Sequence, residues 1–232
     1  MPVSQRRVLI VTFSFSGQTR ALVQALAAGL AEAGVQVVVE RLQPLAPLRF
    51  PLAGIAPTLV MMLATFFRQR LAIAPLSSPA AGDFQLVVVA GPTWSYSPSG
   101  PVLSFLDRDA PALVHDRPVL PVISCRGYWR THLAYLRRRL AACGGRVVNF
   151  LVLTHPCAEP WRTLGVFLKI AGRRPERHPL LSRFYPRYGH SRSQIEEVRG
   201  LGRCVGEALV HGEDLAALRL GVRPHPPAGN AQ

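Results

Sequence analysis

Residues 6–34 read RRVLIVTFSFSGQTRALVQALAAGLAEAG, and their three textures decide the fold. Val8 to Phe13 is a continuous apolar run, the pattern of a strand covered on both faces. From Ala21 onward, Leu22, Leu26 and Leu30 recur at helical spacing among alanines, and Gly34 supplies the stop. Between these runs lie Ser14, Ser16, Gly17 and Thr19. A turn entering a helix presents N–H groups without intrahelical acceptors, and the helix dipole favours negative charge there. The hydroxyls add donors, and Gly17 lets the backbone approach an anion closely. With no lysine and no GxGxxG, the stretch is neither a Walker loop nor a dinucleotide fingerprint. It suits a phosphate monoester. The plainer reading, a polar turn in which Ser14 or Ser16 caps the helix, stays open.

The alternation continues along the chain. VQVVVERL (35–42), FQLVVVAGP (84–92), RPVLPVISC (117–125) and GRVVNFLVL (145–153) are four further strand candidates. Trp129, Leu133, Leu136 and Leu140 mark a helix that Cys143-Gly144-Gly145 stops. Ile195, Val198, Leu201, Val205 and Leu209 mark another over 193–210. The pattern predicts an α/β fold: a doubly wound, five-stranded parallel sheet with helices on both faces. Ligands of such sheets sit at the carboxyl ends of the strands, where the winding reverses. Here those ends carry residues 12–19, 91–100 and 124–128.

A chain of 232 residues, 49% of them hydrophobic, supports one core. The predicted organisation is a single domain over 1–210, with insertions at 44–82 and 154–192 and a flexible proline-rich tail at 211–232. The first insertion holds PLAGIAPTLVMMLATFF (51–67), 17 uncharged residues between Arg49 and Arg68. It is shorter than the roughly 20 residues of a membrane span and contains Pro57. A buried crossover helix is the leading reading, ahead of a membrane-surface contact and then a span. The second insertion mixes WRTLGVFLKIAGRR (161–174) with HPLLSRFYPRYGH (178–190), the composition of a functional loop or a short basic amphipathic helix.

The net charge is +14, and residues 117–203 hold 17 basic against 4 acidic residues. Such a half suits an anionic partner: a phosphorylated cofactor, an anionic membrane surface or nucleic acid. A solvated arginine surface accounts for the same count. No nucleic-acid module is visible, so nucleic acid is not the expected partner. Four scattered cysteines and seven histidines without ligand spacing predict no metal and reduced thiols, hence a cytoplasmic setting. No secretory leader pattern is present. Cys125 and Arg130 are separated by four residues, one fewer than a phosphatase loop requires, and a GxSxG elbow is missing.

SFSGQT (14–19), placed after the first strand, joins VVVAGPTWSYSPSGPVLSFL (87–106) and SCRGYWR (124–130) in a combination that resembles the flavodoxin-like superfamily. Its second loop is most similar to NAD(P)H-dependent FMN reductases. The resemblance spans roughly residues 5–153 and 193–210. It implies FMN as cofactor. Ser14, Phe15, Ser16, Gly17, Gln18 and Thr19 would hold the phosphate. Pro92, Thr93, Trp94 and Tyr96 would line the ring, with Ser124, Arg126, Gly127 and Tyr128 completing the site. No side chain is expected to act as catalytic acid or base, since the flavin carries the chemistry. The implied activity is that of an oxidoreductase with NAD(P)H as co-substrate. Electrons would pass through flavin N5 to a quinone-like or other small acceptor. Two features depart from the electron-carrying flavodoxins, which are acidic: this chain is basic, and it carries a long basic segment after the fifth strand. The second feature is similar to flavodoxin-like protoporphyrinogen oxidases, which are membrane-associated and menaquinone-linked. An enzyme of that kind, or a non-catalytic FMN-binding electron-transfer protein, are the alternatives. The inner face of the membrane and a homo-oligomer stay open.

Overall fold

The computed structural model describes residues 6–52, 54–77, 82–155 and 157–223. The chain runs through β1 (Arg7–Thr12), α1 (Gln18–Glu32), β2 (Gln36–Arg41), α2 (Ile55–Phe66), β3 (Leu86–Trp94) and β4 (Ser97–Pro98). It continues through α3 (Gly100–Arg108), α4 (Ala110–Val114), β5 (Pro118–Cys125), α5 (Arg130–Ala142), β6 (Arg146–Val147) and β7 (Leu151–Thr154). Helices α6 (Trp161–Ile170) and α7 (Arg192–His211) and strand β8 (Gly221–Arg223) complete it.

The main path of the sheet is β2-β1-β3-β5-β7-β8, with every neighbour parallel. The chain winds outward from β1 to β2, then crosses back to β3 on the other side of β1. The winding therefore reverses between β1 and β3, and a crevice opens at their carboxyl ends. Alternation within β1 feeds two cores. Val8 and Ile10 pack with Leu22, Leu26, Val198 and Val205 beneath α1 and α7. Leu9 and Val11 pack on the opposite face with Phe105, Leu106, Leu133 and Leu136 beneath α3 and α5. All four strand residues are at most 2% exposed, as the unbroken apolar run requires.

The fold class is the expected doubly wound α/β sheet, but the sheet has eight strands instead of five. Three short pieces make the difference. Strand β4 turns back on β3 as an antiparallel hairpin. The expected fifth strand is split into β6 and β7, both parallel to β5. The break lies at Asn149, whose side-chain carbonyl accepts from the Phe150 N–H at 2.9 Å. Its amide donates to the carbonyls of Leu215 and Leu218, each at 2.9 Å. A side chain that bonds its own backbone competes with the sheet ladder. The same amide anchors the turn after α7 that delivers β8 to the edge of β7. Residues 221–223, read from the sequence as part of a flexible tail, are thus an edge strand. The rest of that tail, 224–232, lies outside the described residues.

The two insertions form helices. In α2 only Thr58 is buried, so the expected buried crossover helix is a crossover helix with an exposed apolar face. No helix among the described residues is long and apolar enough to cross a membrane. The second insertion forms α6 and two single-turn 3₁₀ segments, Pro175–Arg177 and Leu181–Arg183.

Candidate functional site

The loop from β1 to α1 enters the helix through Gly17, whose φ is +84° and which carries no side chain to cap it. The first turn of α1 holds no acidic residue, so its outward N–H groups and the helix dipole face a region free of local negative charge. Ser14 is turned back on the helix: its Oγ accepts from the Arg20 N–H at 3.2 Å. The neighbouring groove, between α1 and the end of β2, is lined by Ser14, Arg20 and Arg41. Ser16, Gln18 and Thr19 face the crevice beside Phe15. Ser16 and Tyr188 line the crevice together. The Gln18 Oε1 accepts from the His190 N–H at 3.0 Å, tying the loop to the segment that leads into α7. That segment is itself fixed by a capping box between Ser191 and Gln194.

The crevice encloses about 870 Å³ of empty space, counting the part open to solvent. Its second wall is the end of β3 with Pro92, Thr93, Trp94 and Ser95. Ser95 and Tyr96 both have positive φ, 41° and 69°, which is what a tight turn joining the right-twisted strands β3 and β4 demands. Trp94 meets Phe13 and Phe15 edge-to-face, each with ring centroids 5.6 Å apart. Phe15 meets Phe50, which stacks on Tyr188. The aromatic wall is thereby held by its own neighbours.

Ser124, Cys125 and Arg126 bring the end of β5 to the crevice, and His155 follows the end of β7. The His155 N–H donates to the Cys125 carbonyl at 3.0 Å. Ser124 Oγ and His190 Nε2 are 2.8 Å apart, and the rings of His155 and His190 are 5.2 Å apart. Thr93 Oγ1 bonds His132 Nδ1 at 2.8 Å behind the β3 wall. Burial pushes all three imidazoles down: His132 and His155 to about 3, His190 to about 4. The neighbouring His190, Arg126 and Arg162 add to the shift at His155. The site at neutral pH therefore holds neutral imidazoles, while Arg126 supplies positive charge. Burial also pushes the Cys125 thiol up to about 12, so it is not a nucleophile at neutral pH.

Of the residues expected from the sequence, Phe15, Ser16, Gln18, Thr19, Pro92, Thr93, Trp94, Ser124 and Arg126 meet in one crevice. Gly17 supplies the bend beneath them. Ser14 is committed to Arg20, and Gly127 faces the Arg162 guanidinium. Tyr96 and Tyr128 pack on each other with centroids 5.1 Å apart, and both are largely exposed outside the crevice. The tight turn at 95–96 carries Tyr96 to that outer side. Sequence reasoning missed His155, Tyr188 and the walls that the insertions supply: Thr58, Met61, Met62 and Thr65 of α2, and Val166, Phe167 and Ile170 of α6. For His155 a signal existed, its position directly after the strand run FLVLT. For α6 the composition of its insertion marked a functional segment, but only the tertiary fold lays α2 and α6 over the sheet edge. The ties are specific: Thr65 Oγ1 bonds Ser95 Oγ at 2.7 Å, and the Leu52 N–H donates to the Ile170 carbonyl at 2.8 Å. Among the described residues no cluster of metal-ligating side chains occurs.

No protein-family model and no curated protein matches the sequence. Solved structures do match the fold. A flavoprotein in complex with FMN from Lactobacillus acidophilus superposes with a TM-score of 0.51 at 14% identity, covering 63% of this chain and 93% of its own. A flavodoxin from the domain Archaea gives 0.50 at 13% identity, covering 88% of this chain and 99% of its own. The flavodiiron protein from Giardia intestinalis gives 0.50 at 13% identity, covering 90% of this chain and 37% of its own. The likeness is one of fold.

Proposed function

We propose that this protein, whose fold is flavodoxin-like, binds FMN in the crevice and works as an oxidoreductase, with NAD(P)H as donor and a quinone-like or other small molecule as acceptor. The observation that carries the reading is the entry to α1. A helix start without acidic residues, where Ser14 caps only the Arg20 N–H, stands beside Ser16, Gln18 and Thr19, at the point where the sheet reverses its winding. The donor set fits a phosphate monoester, and the adjoining slot of Pro92, Thr93, Trp94, Ser124 and His155 fits a flat ring with polar edges. FMN bound there would supply a centre that accepts a hydride and returns electrons singly or in pairs.

The chain's own residues would bind, orient and exclude water. Backbone N–H groups at 16–19 and the hydroxyls of Ser16 and Thr19 would hold the phosphate. Trp94, fixed edge-to-face by Phe13 and Phe15, would set the plane of the ring. Arg126 would favour negative charge on the ring or on an incoming anionic group. His155, kept neutral by burial, would give or accept a hydrogen bond without bringing a charge. Met61, Met62, Phe167 and Ile170 would keep water away on the open side and offer an apolar surface to the acceptor.

An absorbance spectrum of the purified protein, with FMN titrated in if it is colourless, tests the reading. Saturable binding at micromolar FMN is expected; flavin-free protein that stays without binding would overturn it. Anaerobic addition of NADPH to the FMN-loaded protein should then bleach the flavin bands, and failure to bleach would leave an FMN-binding protein without this donor.

A further inference from the structure

Helix α2 presents an outward face of Ile55, Leu59, Val60, Leu63 and Phe66, continued by Phe67, with exposures from 54% at Leu59 to 72% at Phe67. No charged or amide side chain interrupts it, since residues 50–67 carry none. Contiguous exposed apolar area of this kind marks an interaction surface. The helix has 12 residues, about 18 Å at 1.5 Å per residue, far short of a bilayer core. It can therefore lie on a membrane but cannot cross one.

Two further observations select the occupant. The second insertion flanks the same crevice mouth: Leu52, just before α2, bonds to Ile170 at the end of α6, and Met61, Met62, Phe167 and Ile170 share the crevice wall. That insertion exposes Leu164, Leu180 and Phe184 together with Arg173, Arg174, Arg177, Arg183 and Arg187. Apolar side chains interleaved with arginines match an anionic bilayer, apolar groups entering below the headgroups and guanidinium groups meeting phosphates. A second copy of the chain is a poorer occupant, because it would bring another +14 of charge to the same mouth.

We propose that α2 and the basic segment 173–187 form a docking surface for an anionic membrane, with α2 lying in the plane of the interface. On the functional reading above, to which this step adds, a lipid-borne acceptor would reach the crevice without leaving the bilayer. The full chain should be floated with vesicles of zwitterionic lipid alone and of zwitterionic plus anionic lipid, at low and high salt. It should float with the anionic vesicles about tenfold more than with the neutral ones and lose most of that at high salt. Val60→Glu with Leu63→Glu, and separately Arg173→Glu with Arg174→Glu, should each abolish flotation while FMN titration stays unchanged. FMN titration distinguishes loss of docking from failure of the cofactor reading. Absence of the wild type from the anionic lipid fraction would overturn the proposal, as would α2 variants that float like wild type. A dimer in solution that Val60→Glu with Leu63→Glu dissolves would instead assign the face to self-association.

Discussion

Ser16 and Thr19 sit three residues apart in one turn, yet the fold uses them differently. Thr19 is 1% exposed at the start of α1, at the floor of the crevice, while Ser16 is partly exposed on its wall with Tyr188. Each can donate to a doubly charged phosphate, and a hydrogen bond to a charged group contributes about 1.5–3 kcal/mol. Ser16→Ala with Thr19→Ala is therefore expected to weaken FMN by tenfold or more in a fluorescence titration. Equal affinity would move the phosphate elsewhere. The hydroxyls of this loop were legible because their order, Ser-x-Ser-Gly-x-Thr, follows a strand and opens a helix. The split between Ser14 and Ser16 was not, because it depends on which rotamer reaches the Arg20 N–H. His155 was overlooked for a related reason. Judged by metal-ligand spacing it means nothing, whereas at a strand's carboxyl end it is placed by the sheet.

Helices α1 and α7 cross with almost no room between them. A Cβ built on Gly29 would stand 2.0 Å from the Arg199 carbonyl oxygen, and one on Gly202 would stand 2.4 Å from the Leu26 carbonyl oxygen. Alanine normally gains about 0.5–1 kcal/mol over glycine inside a helix. Here the backbone contact reverses the sign, so Gly29→Ala should lower stability by about 1–3 kcal/mol. Gly200, on the same helix α7 with nothing within 4 Å of its Cβ position, should instead gain about 0.5–1 kcal/mol as alanine. Urea unfolding of the two variants checks both signs, and like signs would deny the close crossing. At this scale the sequence placed every long strand and the helices α5 and α7 to within about two residues, and α1 with a start three residues late. It failed at β4 and β8, where two or three residues carry no periodicity, and at the Asn149 break, where one side chain overrides a run that reads as strand.

Among the described residues the molecule encloses three histidines that burial holds neutral, His132 and His155 near 3 and His190 near 4, against about 6.5 in the unfolded chain. Below pH 6.5 the unfolded chain takes up protons that the folded chain refuses, so stability present above that pH is lost as pH falls toward 4. The slope contributed by each histidine approaches about 1.4 kcal/mol per pH unit. Unfolding free energy should be flat from pH 8 to 7 and decline from 6.5 to 5, and His132→Gln should reduce the decline. Stability independent of pH over that range would mean that the histidines are solvated. The sequence by itself determined the strand and helix alternation and the anion-ready helix start, while the reversal of winding at β1 came from the order of the strands. The first two follow from local periodicity and from the unpaired groups of a helix terminus. Tertiary structure alone decided that two insertions wall the crevice, that Tyr96 and Tyr128 leave it and that His155 on its wall, with His132 and His190 behind it, stays uncharged. Side-chain direction at turns and the loss of water around a group depend on what the rest of the chain lays over them.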